Sequence, residues 1–332
     1  MHASPELGYS SRTLASIQQA LEPLREWWLD PNVDEIQING PNDVFVRSSG
    51  RDRKVSAKVS KSMIESAINL VASYNEKMIG EKAKHFLLSA RLPGMRIEAM
   101  LPPVAIKGPS MCIRRHATRV VPLSEYVEKG ICTQAQADLM NRIVKSDTNF
   151  MVSGGTYSGK TTLVNALLAL IPPEQRIFTI EQVAELKLVA PNYASVECDP
   201  EQGVTAKRAL VLAMRYSPHR IVLGELRGEE GWDFLMACNT GHPGSCTTIH
   251  ADSAREALSR LEDLVRIGNP MPFDTLRTRI GKSIRWVIQI QMSEGQRRIT
   301  EIYKVEGYDR PGDEYQFVDF SKGESGCLSE SS

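Results

Sequence analysis

Residues 154–161 read GGTYSGKT, which fits the pattern G-x-x-x-x-G-K-[ST]. The run lies between a short apolar stretch, NFMVS (149–153), and the helix-forming TTLVNALLAL (161–170). A glycine-rich turn between strand and helix can aim backbone N–H groups, here from Gly155 to Thr162, at phosphates seated on a helix N-terminus. Lys160 has the length and charge to reach β- and γ-phosphates, and the Thr161 hydroxyl suits Mg²⁺. The expected nucleotide-binding set is therefore Gly154, Gly155, Thr156, Tyr157, Ser158, Gly159, Lys160, Thr161 and Thr162. The plain alternative, a fortuitous glycine-rich turn, leaves the strand–turn–helix context unexplained. Tyr157 occupies a position where positive φ is often needed, which costs an aromatic residue roughly 1–2 kcal/mol.

Two further blocks could share that chemistry. RIVLGELRG (220–228) is an apolar strand that carries Glu225 to its C-terminal end, where open α/β sheets bind ligands. Glu225 there could orient a water or hold Mg²⁺ through one. NTGHPGSCTTIHA (239–251) ends as a strand reaching the same edge, so His242 and His250 are candidates for sensing a γ-phosphate. A metal pair is the rival reading of the two histidines, and no further His/Cys/Asp cluster at ligand spacing supports it.

The elements that must position these residues alternate. Strands are expected at 149–153, 176–180, 220–225 and 246–250, with helices at about 161–171, 205–216 and 229–239. That order implies an α/β domain with a mostly parallel sheet. Ahead of it, residues 1–30 read as a helical lead-in, and DEIQINGPNDVFVRSSG as two strands about a turn at 39–42. A helix over 61–80 and strand-like text over 93–115 follow. The expected organisation is a smaller α+β domain over 1–118, a linker over 119–131, the phosphate-loop domain over 132–320 and a disordered tail over 321–332.

The 332 residues include 40 basic and 40 acidic ones, so the net charge is zero. This is unlike a strongly basic nucleic-acid binder, although a local patch at Arg114, Arg115, His116 and Arg119 stands out. Six scattered cysteines form no CxxC pair, which speaks against a four-cysteine zinc site. The N-terminus lacks a basic start followed by an apolar run, and no stretch approaches the roughly 20 apolar residues of a membrane span. A cytoplasmic protein is expected, with any membrane role peripheral.

The wording and order of the blocks resemble the secretion-ATPase superfamily, whose members serve type IV secretion, conjugative transfer, type II secretion and type IV pili. DPNVDEIQING (30–40), RIEAMLPP (96–103) and CIRR (112–115) resemble its first domain, and the likeness spans about residues 25–305. VVPLSEYVEKGICTQAQ (120–136) is most similar to the conjugative-transfer side of type IV secretion. The resemblance implies a RecA-like ATPase domain, ATP and Mg²⁺ as ligands, and a homo-oligomer built as a hexameric ring. It implies partners among inner-membrane secretion components and other secretion ATPases, with peripheral attachment to the inner membrane. DNA contact is left open.

By matched position, the resemblance implies that Lys160 and Thr161 bind phosphate and Mg²⁺. Glu181 in TIEQVAEL matches a water-activating glutamate, and Glu225 a second acidic strand end. Either could join Thr161 at Mg²⁺ through water. His242 and His250 match a histidine block, and Arg96 and Arg114 match arginines that reach the phosphates. The block that usually reads IED reads Ile180-Glu181-Gln182 here, with Glu185 as a substitute carboxylate. Rival readings are a pilus assembly or retraction motor, a DNA-stimulated motor, and a regulator that binds ATP without hydrolysing it.

Overall fold

A computed structural model describes residues 5–48, 50–115, 119–293 and 295–323. The chain divides into two compact units, Met1–Thr118 and Arg119–Ser332.

The first unit runs α1 (Pro5–Ala20), α2 (Arg25–Leu29), β1 (Glu35–Gly40), β2 (Asp43–Ser48), β3 (Arg51–Val55), α3 (Lys61–Tyr74), β4 (Leu87–Leu92), β5 (Met95–Met100) and β6 (Ser110–Arg115). Its six strands pair antiparallel in the order β3-β2-β1-β6-β5-β4. Alternation along the strands other than β3, which buries only Val55, makes one face apolar. Ile36, Ile38, Val44, Val46, Ile97, Met111 and Ile113 are buried in one core with Ile17, Ile64, Ile68 and Val71 of the helices and with Leu21, just past α1. The helix expected over 61–80 ends at Tyr74. Asn75 stops it: its amide donates to the carbonyls of Val71 and Arg91 and accepts from the Arg91 N–H, tying the helix end to β4.

The second unit runs α4 (Leu123–Glu128), α5 (Gln134–Lys145), β7 (Phe150–Ser153), α6 (Lys160–Leu168), β8 (Ile177–Glu181), β9 (Tyr193–Glu197), α7 (Ala206–Ala213), β10 (Arg220–Leu223), α8 (Glu230–Asn239), β11 (Cys246–Ile249), α9 (Ala254–Gly268), α10 (Phe273–Ser283), β12 (Trp286–Ser293), β13 (Gln296–Asp309) and β14 (Glu314–Asp319). Its eight strands lie in the order β14-β13-β12-β7-β11-β10-β8-β9. The run from β12 to β9 is parallel, and β13 and β14 add an antiparallel edge. Every residue of β7, β10 and β11 is buried, as expected for parallel strands covered on both faces. One core joins the sheet to α7, α8, α9 and α10, and a second joins it to α4, α5 and α6.

Residues 119–131 are not a free linker. Leu123 and Tyr126 of α4 are buried in the second of these cores, because their apolar side chains face α5 and the sheet. A capping box starts α5, with Thr133 accepting from Gln136 N–H and the Gln136 side chain accepting in return. Gln136 also donates to the carbonyls of Ile299 and Ser321, which docks the chain's last described segment on this helix. Most of the expected tail, residues 324–332, and His116 of the basic patch lie outside the described residues. In that patch Arg115 donates to the Asp30 carbonyl and Arg119 makes a two-point pair with Glu125. Among the described residues no helix is long and apolar enough to cross a membrane.

Candidate functional site

The parallel strands carry four motif blocks to one edge of the sheet. β7 leads into the glycine-rich loop, β11 into His250, β10 into Glu225, and β8 ends on Glu181. The strand order sets β11 between β7 and β10, so His250 emerges between the loop and Glu225.

The loop enters α6 through Gly159, whose φ is +100°, a conformation that L side chains rarely adopt. Tyr157 has φ 61°, the left-handed geometry expected of this position. Lys160, the first residue of α6, is buried. Its ammonium donates to the carbonyls of Gly154 at 2.9 Å and Gly155 at 2.7 Å, and meets Nδ1 of His250 at 3.2 Å. Arg297, from β13, lies alongside: a side chain at Gly159 would meet its Cδ and Nε at 3.1 and 3.2 Å.

His250 continues the chain of contacts. Its Nε2 lies 2.9 Å from Glu225 Oε1. An ammonium can only donate, so Nδ1 accepts from Lys160, and Nε2 carries the proton given to Glu225. Neutral imidazole in the Nε2–H form satisfies both contacts. A second proton would place a cation against Lys160. Glu225 also accepts from Nη2 of Arg227 at 2.6 Å, and Nη1 of Arg227 donates to Gln182 Oε1 at 2.6 Å. One unbroken path thus runs Lys160–His250–Glu225–Arg227–Gln182. The loop bearing Arg227 is fixed by Glu230, which accepts from the N–H groups of Arg227 and Gly228. The Thr248 hydroxyl donates to the Gly224 carbonyl and holds the strand end beside β11.

Glu181 stands apart from that path. It is only 7% exposed and accepts from the N–H groups of Glu185 and Leu186, both at 2.9 Å. Burial pushes its carboxyl up to about 7, against the opposing pull of those two N–H donors. The Gly224-Glu225 pair has its reason here, since a side chain at Gly224 would come within 3.1 Å of Glu181 Cγ. Glu185 lends its N–H to Glu181, and its carbonyl accepts from Asn165 of α6.

His242 is not brought to this edge. It precedes β11, whereas His250 follows it, so roughly 17 Å of chain between Ser245 and His250 separates the two ends of the strand. Its ring nitrogen lies 3.2 Å from the Ala237 carbonyl, and its own carbonyl accepts from Ser245. Arg96 and Arg114 belong to the first unit, where they face each other across β5 and β6. Sequence reasoning missed Arg227 and Arg297. Arg227 sits within the GELRG block, two residues past Glu225, but its span to Gln182 depends on β8 and β10 being neighbours.

The profile of the type II/IV secretion system protein family matches residues 18–299. The chain belongs to that family. It is 36% identical over 284 residues to a probable conjugal transfer protein TrbB of Sinorhizobium fredii, covering 84% of this chain and 85% of the relative. It is 33% identical over 337 residues to the type IV secretion system protein VirB11 of Bartonella henselae, covering 89% and 94%. In fold it is similar to the pilus retraction motor PilT solved with bound ADP (TM-score 0.60, 16% identity, 91% and 82% covered). The ATPase DotB of Legionella pneumophila is similar too (0.57, 18%, 91% and 81%).

Proposed function

We propose that this chain hydrolyses ATP to drive a type IV secretion or conjugative-transfer machine at the cytoplasmic face of the inner membrane. The observation that carries the reading is the path from Lys160 through His250 to Glu225, at the strand edge where the glycine-rich loop opens. The names of its relatives TrbB and VirB11 support the choice of machine. The strand order β12-β7-β11-β10-β8 supports a RecA-like core for the second unit.

In this reading the loop N–H groups and Lys160 hold the phosphate chain. A phosphate offers Lys160 charged acceptors in place of the Gly154 and Gly155 carbonyls, and charge-assisted bonds are the stronger kind. His250, adjoining Lys160, lies within reach of the terminal phosphate and reports on it to Glu225. Glu181 and Glu225 are the candidates for accepting a proton from the attacking water. The half-buried Thr161 hydroxyl and the carboxylates of neighbouring strand ends are oxygen donors that suit Mg²⁺, held with Glu181 or Glu225 through water. When bound, Mg²⁺ would supply positive charge to the β- and γ-phosphates. Arg96 and Arg114 would add cations to the same phosphates. His242 is left out of the reacting set because of its place at the other sheet end. A hexameric ring attached through membrane components of the machine completes the proposal.

The test is Mg²⁺-dependent ATP hydrolysis by the purified chain beside Lys160→Ala, with light scattering on both. Turnover at least about 100-fold lower in the variant is expected, with a particle several times the 36.9 kDa of one chain. ATP binding without turnover in the unmodified protein would replace the motor with a regulator. Turnover that rises only with DNA would make it a DNA motor.

A further inference from the structure

Arg297 of β13 sits where a cation alone is disfavoured. Its side chain lies so close over Gly159 that a Cβ there would meet Cδ at 3.1 Å and Nε at 3.2 Å. Gly159 is the N-cap of α6, a helix of 9 residues. A helix N-terminus carries partial positive charge and repels a cation laid on it. Lys160, buried at the next position, adds a second positive group. Among the described residues no carboxylate pairs with Arg297, and its Nε is buried without a hydrogen-bond acceptor. A buried donor left unmade costs free energy. Tyr126 of α4 feels the Arg297 charge, but burial keeps its phenol protonated, so it supplies no counter-charge. Folding alone gives no reason for a guanidinium here, whereas an anion would satisfy all of these groups together.

Strand order points to which anion. β7, which leads into the loop, has β11 on one side and β12, with β13 beyond it, on the other. His250 and Glu225 follow β11 and β10, so the proposed reading takes the terminal phosphate to that flank. Arg297 stands on the opposite flank. A phosphate chain held along the loop, with its γ end towards His250, presents its α end there. The guanidinium is a fork of donors matched to phosphate oxygens, and hydrogen bonds between ions are the strong ones.

We propose that Arg297, which no motif singles out, binds the α-phosphate of the nucleotide on the side of the loop away from His250. The inference rests on the proposed ATPase reading and deepens it. Arg297 holds diphosphate and triphosphate alike, because both carry an α-phosphate. Gly159 is then required twice, for its left-handed φ and for the room it leaves this side chain.

The experiment uses the full chain and measures equilibrium binding of Mg²⁺-ATPγS, ADP and inorganic tripolyphosphate, with melting in the absence of ligand. The proteins compared are the unmodified chain, Arg297→Gln, Arg297→Lys and Lys160→Ala. Glutamine keeps part of the packed stem and removes the charge. Arg297→Gln should weaken all three ligands about tenfold without lowering the ligand-free melting temperature. Arg297→Lys should recover part of the affinity. Unchanged affinities in Arg297→Gln, while Lys160→Ala abolishes binding, would overturn the inference and spare the ATPase reading. A loss for ATPγS that spares ADP would place the arginine at the terminal phosphate and also overturn it. So would nucleotide losses that spare tripolyphosphate, which would put the guanidinium on the base. A ligand-free melting temperature that falls equally in Arg297→Gln and Arg297→Lys would make the side chain a prop for the loop and overturn it as well. Failure of the unmodified protein to bind any of the three ligands would overturn both readings.

Discussion

The two ends of the second unit's sheet are built from the same sequence blocks and come out opposite in character. RIVLGELRG puts Arg220 at one end and Glu225 at the other, and NTGHPGSCTTIHA does the same with His242 and His250. At the far end Arg220 is fully buried and each of its three guanidinium nitrogens has a partner, although the Asp147 side chain is itself 46% open to solvent. It pairs with Asp147 and donates to Gln175, to Val144 and to Gly244. Asn149 there clamps Ser245, Cys238 and Ser283. At the near end Lys160 is buried, but 44% of the His250 side chain and 46% of that of Arg227 are open to solvent. Burial of Arg220 with all three guanidinium nitrogens matched makes the first end a knot, because cutting it strands polar groups out of water. Partial exposure lets the second end exchange partners at modest cost. A single motif can therefore hold the fold with one residue and place another at the candidate site.

Breaking the knot should produce the largest change. Arg220→Ala is expected to lower stability by about 3 kcal/mol, seen as a drop in denaturation midpoint. Turnover per folded molecule at low temperature should be nearly unchanged. A loss of turnover without destabilisation would erase the distinction between the ends. The histidines test it more sharply. His250→Ala should cut ATP turnover by about 100-fold with little change in melting, whereas His242→Ala should mainly lower the melting temperature. Equal kinetic losses in both would show that His242 acts at the nucleotide after all.

Glu181 tests the near end by pH. Its folded carboxyl titrates near 7, above the usual carboxylate range, so the folded state holds this proton more tightly. That contribution to stability is complete below the unfolded value near 4.5 and is lost as pH rises to about 7. Glu181→Gln cannot ionise and escapes the loss. Its stability relative to the unmodified chain should rise by on the order of 2 kcal/mol between pH 4.5 and 8, read from urea midpoints at each pH. A flat difference would mean that the carboxyl is not desolvated as described. The smallest effect is local: Tyr157→Gly should relieve the left-handed strain and stabilise the unit by about 1 kcal/mol, checked by thermal melting.

Much of this site could be read before any coordinates. The loop, Glu225 and His250 are local signals, each a motif at a strand end, and alternating strand and helix text is enough to bring such ends to one edge. What stayed hidden depends on neighbours distant in sequence. Arg227 reaches Gln182, 45 residues away, only because β8 and β10 pair. The burial that raises Glu181 comes from the same packing. His242 misleads because eight residues look like one cluster until a four-residue strand is laid between the two histidines. In the fold, β4 and β9 are short strands without a motif. Past residue 251 no chemical pattern marks α9, α10 or the hairpins of β12 to β14, although Arg297 reaches the loop from there.

The single tautomer required of His250 gives the site a reporter of its own. An imidazole protonated on Nε2 and bare on Nδ1 has two very different ¹⁵N resonances, whereas a doubly protonated ring brings them together. With only six histidines in the chain, and His250→Gln to assign the signal, one pair of peaks would read both sides of the relay. A disturbance at Lys160 would move the Nδ1 line and one at Glu225 the Nε2 line. Whether either line moves during a nucleotide titration, and which moves first, would test the proposed link from Lys160 through the ring to Glu225.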